Sequence, residues 1–384
     1  MNTHPLHPAT GPRTPRAPAA LLSLLLLVAA PGTPSLTAQE VAWAPAPGRW
    51  NGAVSDARPW LARHADSTGA PGLSVAVAVD GEVVWEEGFG FADLENRVPA
   101  WPESKFRVAS ISKAMTSIAV GLLVERGQLD LDAPVQRYVP SFPDKGAVIT
   151  TRQLGGHLAG IRHYRGDEFA SAVHYDDVVA ALAVFQDDPL LSPPGERYSY
   201  STYGWNLISA VVQSTAGRPF LDFMREEIIE PLNLRSTVAE HPDSILFHRA
   251  RFYLRGDDGR LVNAPYVDNS VKWAGGGYLS TASDLVRLAS ALMDGDILRP
   301  ETVDLLFRPQ RTTAGESTGY GIGWFTREIE GRRYVFHTGG AMGGSTVLLM
   351  DPEHRVAVAI LANLDSIGHT ETAARVAARF ARAR

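Results

Sequence analysis

With 384 residues, 45% of them hydrophobic and 20% charged, the chain is long enough to bury a large core in two lobes and too apolar to be disordered. Its formal net charge of −6, with no basic stripe, excludes nucleic acid as a main partner. The absence of cysteine excludes a cysteine nucleophile, a cysteine metal cluster, a lipid-modified amino-terminal cysteine and stabilisation by disulfides.

Residues 1–38 stand apart from the rest. They contain Arg13 and Arg16 but no acid, then an apolar run from Ala19 to Ala30 broken only by Ser23, then Pro31-Gly32 and small residues up to Ala38. A basic start, a short apolar stretch and a small-residue end describe a secretory signal peptide. The expectation is an exported protein, periplasmic or secreted. The run is shorter than the roughly 20 residues a membrane span needs, so no span is expected in the mature chain. An amino-terminal anchor, or a misplaced start codon, is the alternative.

Residues 39–69 read as a lead-in and a first helix ending near Gly69. Leu73–Val79 and Glu82–Glu86 are strand-like runs on either side of Asp80-Gly81, a strong hairpin signal. Residues 110–126 are predicted helical. Met115, Ile118, Ala119, Leu122 and Leu123 form one apolar face, and Gly127 supplies the stop. From about 128 to 270, Pro- and Gly-rich loops alternate with helical stretches such as Tyr203–Ala216 and Phe220–Ile229, and no strand pattern stands out. Strands return at Tyr334–Thr338, Ser345–Met350 and Val356–Ala362. A terminal helix carries Ala373, Val376, Ala377 and Phe380 on one face. The predicted architecture is α/β plus α: an antiparallel sheet built from both ends of the chain and flanked by helices. One catalytic unit spans 70–384, with an α/β lobe at about 70–118 and 271–384 and a helical lobe inserted at about 119–270.

Chemistry is carried first by Ser110-Ile-Ser-Lys113. Three residues apart on a helix, serine and lysine share a face, and the helix start offers free N–H groups and partial positive charge. A serine hydroxyl needs a base to become nucleophilic, and a lysine can be that base only if burial or a neighbouring cation lowers its pKa. The spacing alone is a weak signal, equally met by an exposed lysine in a first helical turn. Of the 36 basic residues, however, only Lys105, Lys113, Lys145 and Lys272 are lysines. A chain that prefers arginine yet keeps lysine at the head of an apolar helix points to a group that must lose its proton.

Two further motifs follow, Tyr198-Ser-Tyr200-Ser-Thr202 and Phe336-His337-Thr338-Gly339-Gly340. Here the chain resembles the serine β-lactamases and penicillin-binding proteins, in particular the class C-like branch. That family carries Ser-x-x-Lys, Tyr-x-Asn and Lys-Thr-Gly in this order. The stretches Asp130–Pro134, Thr151–Leu154, His157–Tyr164 and Gly275–Thr281 are similar as well, the middle two most of all to the mitochondrial β-lactamase-like serine protease group. The resemblance implies a serine hydrolase that forms a covalent acyl-enzyme on peptide, ester or amide bonds. Ser110 would attack, with Lys113 and Tyr200 moving the proton, Tyr200 as a phenolate base stabilised by Lys113. The Ser110 and Gly340 N–H groups would form the oxyanion hole, and Thr202, His337, Thr338 and Gly339 would contact substrate. It implies no cofactor, and the partner would be a small-molecule or peptide acyl substrate, with a homo-oligomer left open. A non-turnover acyl-binding protein, or a scaffold or filament-forming protein on the same fold, is the alternative.

Two departures stand out. Thr202 replaces the family's asparagine, and His337 replaces its lysine. A fixed positive charge would thus become a group titrating near pH 6.5, so neutral substrates should be preferred over carboxylate-bearing ones. Gly315-Glu-Ser317-Thr-Gly319 also matches a nucleophile elbow, but it lacks the strand before and the helix after that such an elbow requires. His157 and His163 lie in a loop-like segment without metal-ligand spacing.

Overall fold

The first helix, α1 (Asn51–Thr68), ends where Gly69 takes φ 64°, a left-handed conformation that glycine adopts without a Cβ penalty. Strands β1 (Gly72–Val79) and β2 (Glu82–Asp93) follow as a hairpin. Asp80 at φ 53° and Gly81 at φ 85° form its turn, both with the positive φ that matches the twist of paired strands. These coordinates are a computed structural model, which describes Val41–Ala42 and residues 48–384. The leader read over residues 1–38 lies outside the described residues.

Helices α2 (Ile111–Glu125), α3 (Thr202–Ala216) and α4 (Ala282–Asp294) come next, followed by β3 (Phe325–Ile329), β4 (Arg332–Ala341), β5 (Gly344–Asp351), β6 (Val356–Ala362) and the terminal helix α5 (Thr370–Ala381). The sheet runs β2-β1-β6-β5-β4-β3, antiparallel throughout, with Val41–Ala42 added at the β2 edge. The central seam pairs Val356 with Val79 and Ala362 with Leu73, so the two ends of the chain meet in the middle of the sheet.

Both faces of this sheet are covered, which explains the near-continuous apolar runs of β1 and β6. Leu73, Val75, Val77, Val356, Val358 and Ile360 point to one side, with Trp50 and Phe380 of the α1/α5 layer. Ala76, Ala78, Ala357 and Ala359 point to the other, where α2 and α4 pack. Small alanines on that side let the helices lie close to the strands. Each fully buried valine or leucine contributes about 1.5–3 kcal/mol, so the sheet is a stiff platform for the helix that starts at Ser110.

The middle of the chain is helical with exceptions too short to leave a sequence period. Phe106–Arg107 and Val238–Ala239 both pair with Tyr278–Ser280, and Tyr253–Arg255 pairs with Leu261–Asn263. The helix expected over 220–229 is α-helical only over Phe220–Met224 and widens to a π turn over Arg225–Ile229. Among the described residues no helix is long and apolar enough to cross a membrane.

Candidate active site

Ser110 stands at the N-cap of α2, and the segment leading to it is pinned. Phe106–Arg107 is held in the small three-stranded sheet, and Val108 N–H donates to the Tyr278 carbonyl at 3.0 Å. Ala109 has φ 49°, an unfavourable backbone for a residue with a Cβ, and costs of order 1–3 kcal/mol. Such strain persists only where the surroundings over-determine the conformation, and here it fixes the direction of the next side chain. Gly339 contributes from strand β4, for a Cβ there would lie 2.3 Å from Thr346 Oγ1 and 2.4 Å from the Val108 carbonyl. Only glycine lets β4 pass this close to the approach to Ser110.

One turn along α2, Lys113 is fully buried. Its Nζ lies 2.9 Å from Ser110 Oγ and donates to Thr202 Oγ1 at 3.1 Å and the Gly275 carbonyl at 2.6 Å. The Gly275 carbonyl can come so near because a Cβ at that position would sit 2.4 Å from Thr202 Cγ2. Burial, then the charge of nearby Lys272, hold the amine well below its ordinary pKa. The half-buried Tyr200 phenol lies beside it, hydrogen-bonded to Ser110, with the ring centroid 5.0 Å from Lys113 Nζ. Burial pushes this phenol well above its ordinary pKa, a rise that the Ser110 hydrogen bond only partly opposes. Burial thus disfavours both the ammonium of Lys113 and the phenolate of Tyr200, which counts against the expected charged pair of a Tyr200 phenolate stabilised by a Lys113 ammonium.

Thr202 lies within this cluster and its hydroxyl holds Lys113. At the position of the family's asparagine, threonine thus supplies a positioning contact that sequence alone did not suggest. Two histidines that had no expected role position the same segment. His157, at φ 60°, accepts the Ser201 N–H on Nδ1 at 3.0 Å, and its ring lies 4.2 Å from that of Tyr200, centroid to centroid. His163 Nδ1 accepts the Thr202 N–H at 3.2 Å. Burial keeps both rings neutral, with His163 lowered to about 4. Among the described residues no group of side chains could hold a metal ion.

Strand β4 closes the opposite wall. A two-residue turn joins Ala341 to Gly344, and hydrogen-bonded and non-hydrogen-bonded pairs alternate from there. Thr338 and Gly340 therefore direct their N–H groups away from β5. On the other side, pairing with β3 stops at Phe325 opposite Phe336, so residues 337–341 present an open edge. Gly340 is exposed, with nothing within 4 Å of where a Cβ would be. A cavity of about 240 Å³ lies between this edge and α2, lined by Ser110, Tyr200, Thr202, His337, Thr338 and Gly340 together with His163, Tyr164, Phe169, Lys272 and Phe325.

His337 requires a second correction. It lines the cavity, but its ring is buried and both nitrogens are engaged. Nδ1 donates to the Thr338 carbonyl at 2.6 Å, so the neutral ring's Nε2 accepts the Tyr320 hydroxyl at 2.9 Å. Phe325 packs against it with ring centroids 5.4 Å apart. Burial, and next the proximity of Lys113, lower its pKa to about 3, so it carries no charge anywhere near neutrality and does not titrate near 6.5. Ser317 of the rival motif lies in an exposed turn between Arg311 and Phe325, with no strand-to-helix turn around it.

The cation that the sequence seemed to lack on β4 comes from elsewhere. Lys272 lines the cavity, buried, with Nζ 3.1 Å from the Phe169 carbonyl. The signal that singled out Lys113, the scarcity of lysine, applied equally to Lys272. Gly275 was legible only as part of a family stretch.

A serine at the start of a buried helix, a buried lysine and a phenol within reach of it, and an open strand edge opposite are the site features of β-lactamase-related serine hydrolases. The Beta-lactamase family matches residues 57–382 of the chain, which belongs to that family. The serine beta-lactamase-like protein LACTB, mitochondrial, of Bos taurus is 34% identical, over 85% of this chain and 79% of its own length. Penicillin-binding protein 4* of Bacillus subtilis (strain 168) is 28% identical, over 76% of this chain and 67% of its own. Among solved structures, the octameric penicillin-binding protein homologue from Pyrococcus abyssi superposes with a TM-score of 0.72 at 26% identity, covering 86% of this chain and 76% of that one. These comparisons also correct the expectation of an exported, periplasmic or secreted protein, because the relatives at 33–34% identity are mitochondrial proteins. Arg13 and Arg16 in a leader without acids suit an organelle-targeting segment as well as a secretory one, so composition did not separate the two.

Proposed function

We propose that the chain hydrolyses peptide, amide or ester bonds through an acyl-enzyme on Ser110. The observation that carries this reading is the 2.9 Å contact between Ser110 Oγ and a buried Lys113 amine whose pKa is held down. Ser110 Oγ forms a bond to the substrate carbonyl carbon as its proton passes to Lys113 Nζ. The carbonyl oxygen becomes an oxyanion held by the N–H groups of Ser110 and Gly340, each such donor being worth roughly 3–4 kcal/mol. As the intermediate collapses, the bond to the leaving group breaks. The Tyr200 hydroxyl gives that group a proton and is reprotonated from Lys113. Water then repeats the sequence in reverse roles, releasing the acid and restoring Ser110.

The open edge at residues 337–341 supports an extended substrate lying along β4, with the Gly340 carbonyl as acceptor and the Thr338 N–H as donor. Family membership and the names of the relatives fit this chemistry. The test is labelling with a serine-reactive fluorophosphonate, followed by turnover of a panel of esters, peptides and penicillins. The wild type and Ser317→Ala should be labelled and Ser110→Ala should not, with multiple turnovers on at least one substrate class. Labelling that survives in Ser110→Ala, or a single burst on every substrate, would overturn the reading.

A further inference from the structure

We propose that Lys272 is the anion-binding residue of this pocket, and that the preferred substrates carry a carboxylate close to the scissile carbonyl. The inference rests on the hydrolase reading above and specifies its substrate class. It reverses the preference for neutral substrates that the His337 substitution suggested.

The argument begins with the cost of burying a charge. A buried ammonium is stable only when it is paired, hydrogen-bonded or awaiting a partner. Lys272 Nζ makes one hydrogen bond, to the Phe169 carbonyl, although an ammonium has three donors. The rings of Tyr164 and Phe169 flank it, with centroids 5.5 Å and 5.1 Å from Nζ. Among the described residues no carboxylate forms an ion pair with it. The nearest acids are committed elsewhere. Glu240 is held by Arg107 at 2.8 Å and by Asn269, and Asp268 by His174 at 2.8 Å and Ser270.

The cavity wall points the same way, since it contains no acidic side chain, while His163 and His337 are neutral. Burial, then Arg107, bring Lys272 down to about 8, which still leaves it mostly protonated at pH 7. The cavity therefore offers one unpaired positive charge on the same wall system as Ser110. A single carboxylate matches it better than a doubly charged phosphate would. An arriving carboxylate would accept the two free donors and complete the pairing.

The experiment compares substrates that differ only in charge. N-acyl-glutamyl and N-acyl-glutaminyl coumarin amides place the carboxylate, or its neutral isostere, on the acyl side. Carboxyphenyl acetate and phenyl acetate place the difference on the leaving group. In the wild type at pH 7, kcat/KM should favour the charged member of one pair by about ten- to a hundredfold, the scale of a hydrogen bond between charged groups. Which pair responds tells where the carboxylate lies relative to the broken bond. The ratio should fall to about one in Lys272→Met and Lys272→Gln, whatever happens to absolute rates, and Lys272→Arg should retain most of it. Turnover of neutral substrates through Ser110 with no charge preference in either pair would overturn this proposal and leave the hydrolase reading intact. If the protein turns over nothing, the hydrolase reading fails by itself. The charge question is then decided by whether N-acetylglutamate slows fluorophosphonate labelling of Ser110 more than N-acetylglutamine does, in wild type against Lys272→Gln.

Discussion

Replacing Lys113 by arginine separates a base from a mere cation. The amine contacts Ser110 Oγ, Thr202 Oγ1 and the Gly275 carbonyl from a fully buried position, so arginine would keep a donor there but could accept no proton. General-base catalysis is worth about 10²–10⁴ in rate, or roughly 2.7–5.4 kcal/mol at 1.36 kcal/mol per tenfold. Lys113→Arg should therefore lose at least about a hundredfold in kcat on an amide or ester substrate. The pH profile carries the same information. The active form is the deprotonated amine, whose pKa lies well below its ordinary 10.5, so wild-type kcat/KM should rise with pH and level off well before that value. Residual activity in Lys113→Met, which removes the titrating group, should lack that acid-side limb. The assay is kcat/KM from pH 5 to 10 for the three proteins with one substrate, alongside circular dichroism to show that each is folded. An arginine variant within about tenfold of wild type, or a methionine variant with the limb unchanged, would refute the assignment of Lys113 as base.

Two further outcomes follow from the buried groups. Tyr200→Phe should depress hydrolysis of an anilide, by about a hundredfold or more, far more than that of an activated nitrophenyl ester, because only the former needs a proton at the leaving group; equal losses on both would remove Tyr200 from that step. His337 and His369 are both lowered to about 3 by burial, so the unfolded chain, with imidazoles near 6.5, binds more protons between those values and stability is lost as pH falls through that window. Urea unfolding at pH 7 and pH 5 should differ by about 2 kcal/mol per ring, and an unchanged midpoint would mean that these rings are not held neutral.

Much of this was written in the order of residues. The hairpin around Asp80-Gly81, the helix behind Ser110 and the terminal strands were legible because each has a local period or a turn that one residue type dictates. The catalytic cluster was legible as a set of motifs, but not as a set of protonation states. Whether Lys113 and Tyr200 are charged depends on how completely α3, the Gly275 segment and β4 exclude water. No single stretch of sequence states that. His337 shows the same gap, since its burial comes from Tyr320 and Phe325, which reach it from outside its own strand. Lys272 was visible as a rare lysine, yet its importance arises only when the fold leaves it unpaired in the cavity. The short strands over 238–263 and the π turn at Arg225–Ile229 were unreadable because two to five residues cannot display a period.

The seam between β1 and β6 has a consequence for the birth of the protein. Gly72–Val79 emerges early in synthesis, but its partner Val356–Ala362 is made almost last. Until then one whole side of β1 has no strand to bond to, and β4, with its open edge and Gly340, has not yet been added. An incomplete chain thus holds Ser110 and Lys113 without the wall they work against. Every nascent or prematurely ended copy therefore lacks the β4 wall of the candidate site and leaves the β1 edge open to pairing with other chains. The last strands to be made thus complete the site around the much earlier α2.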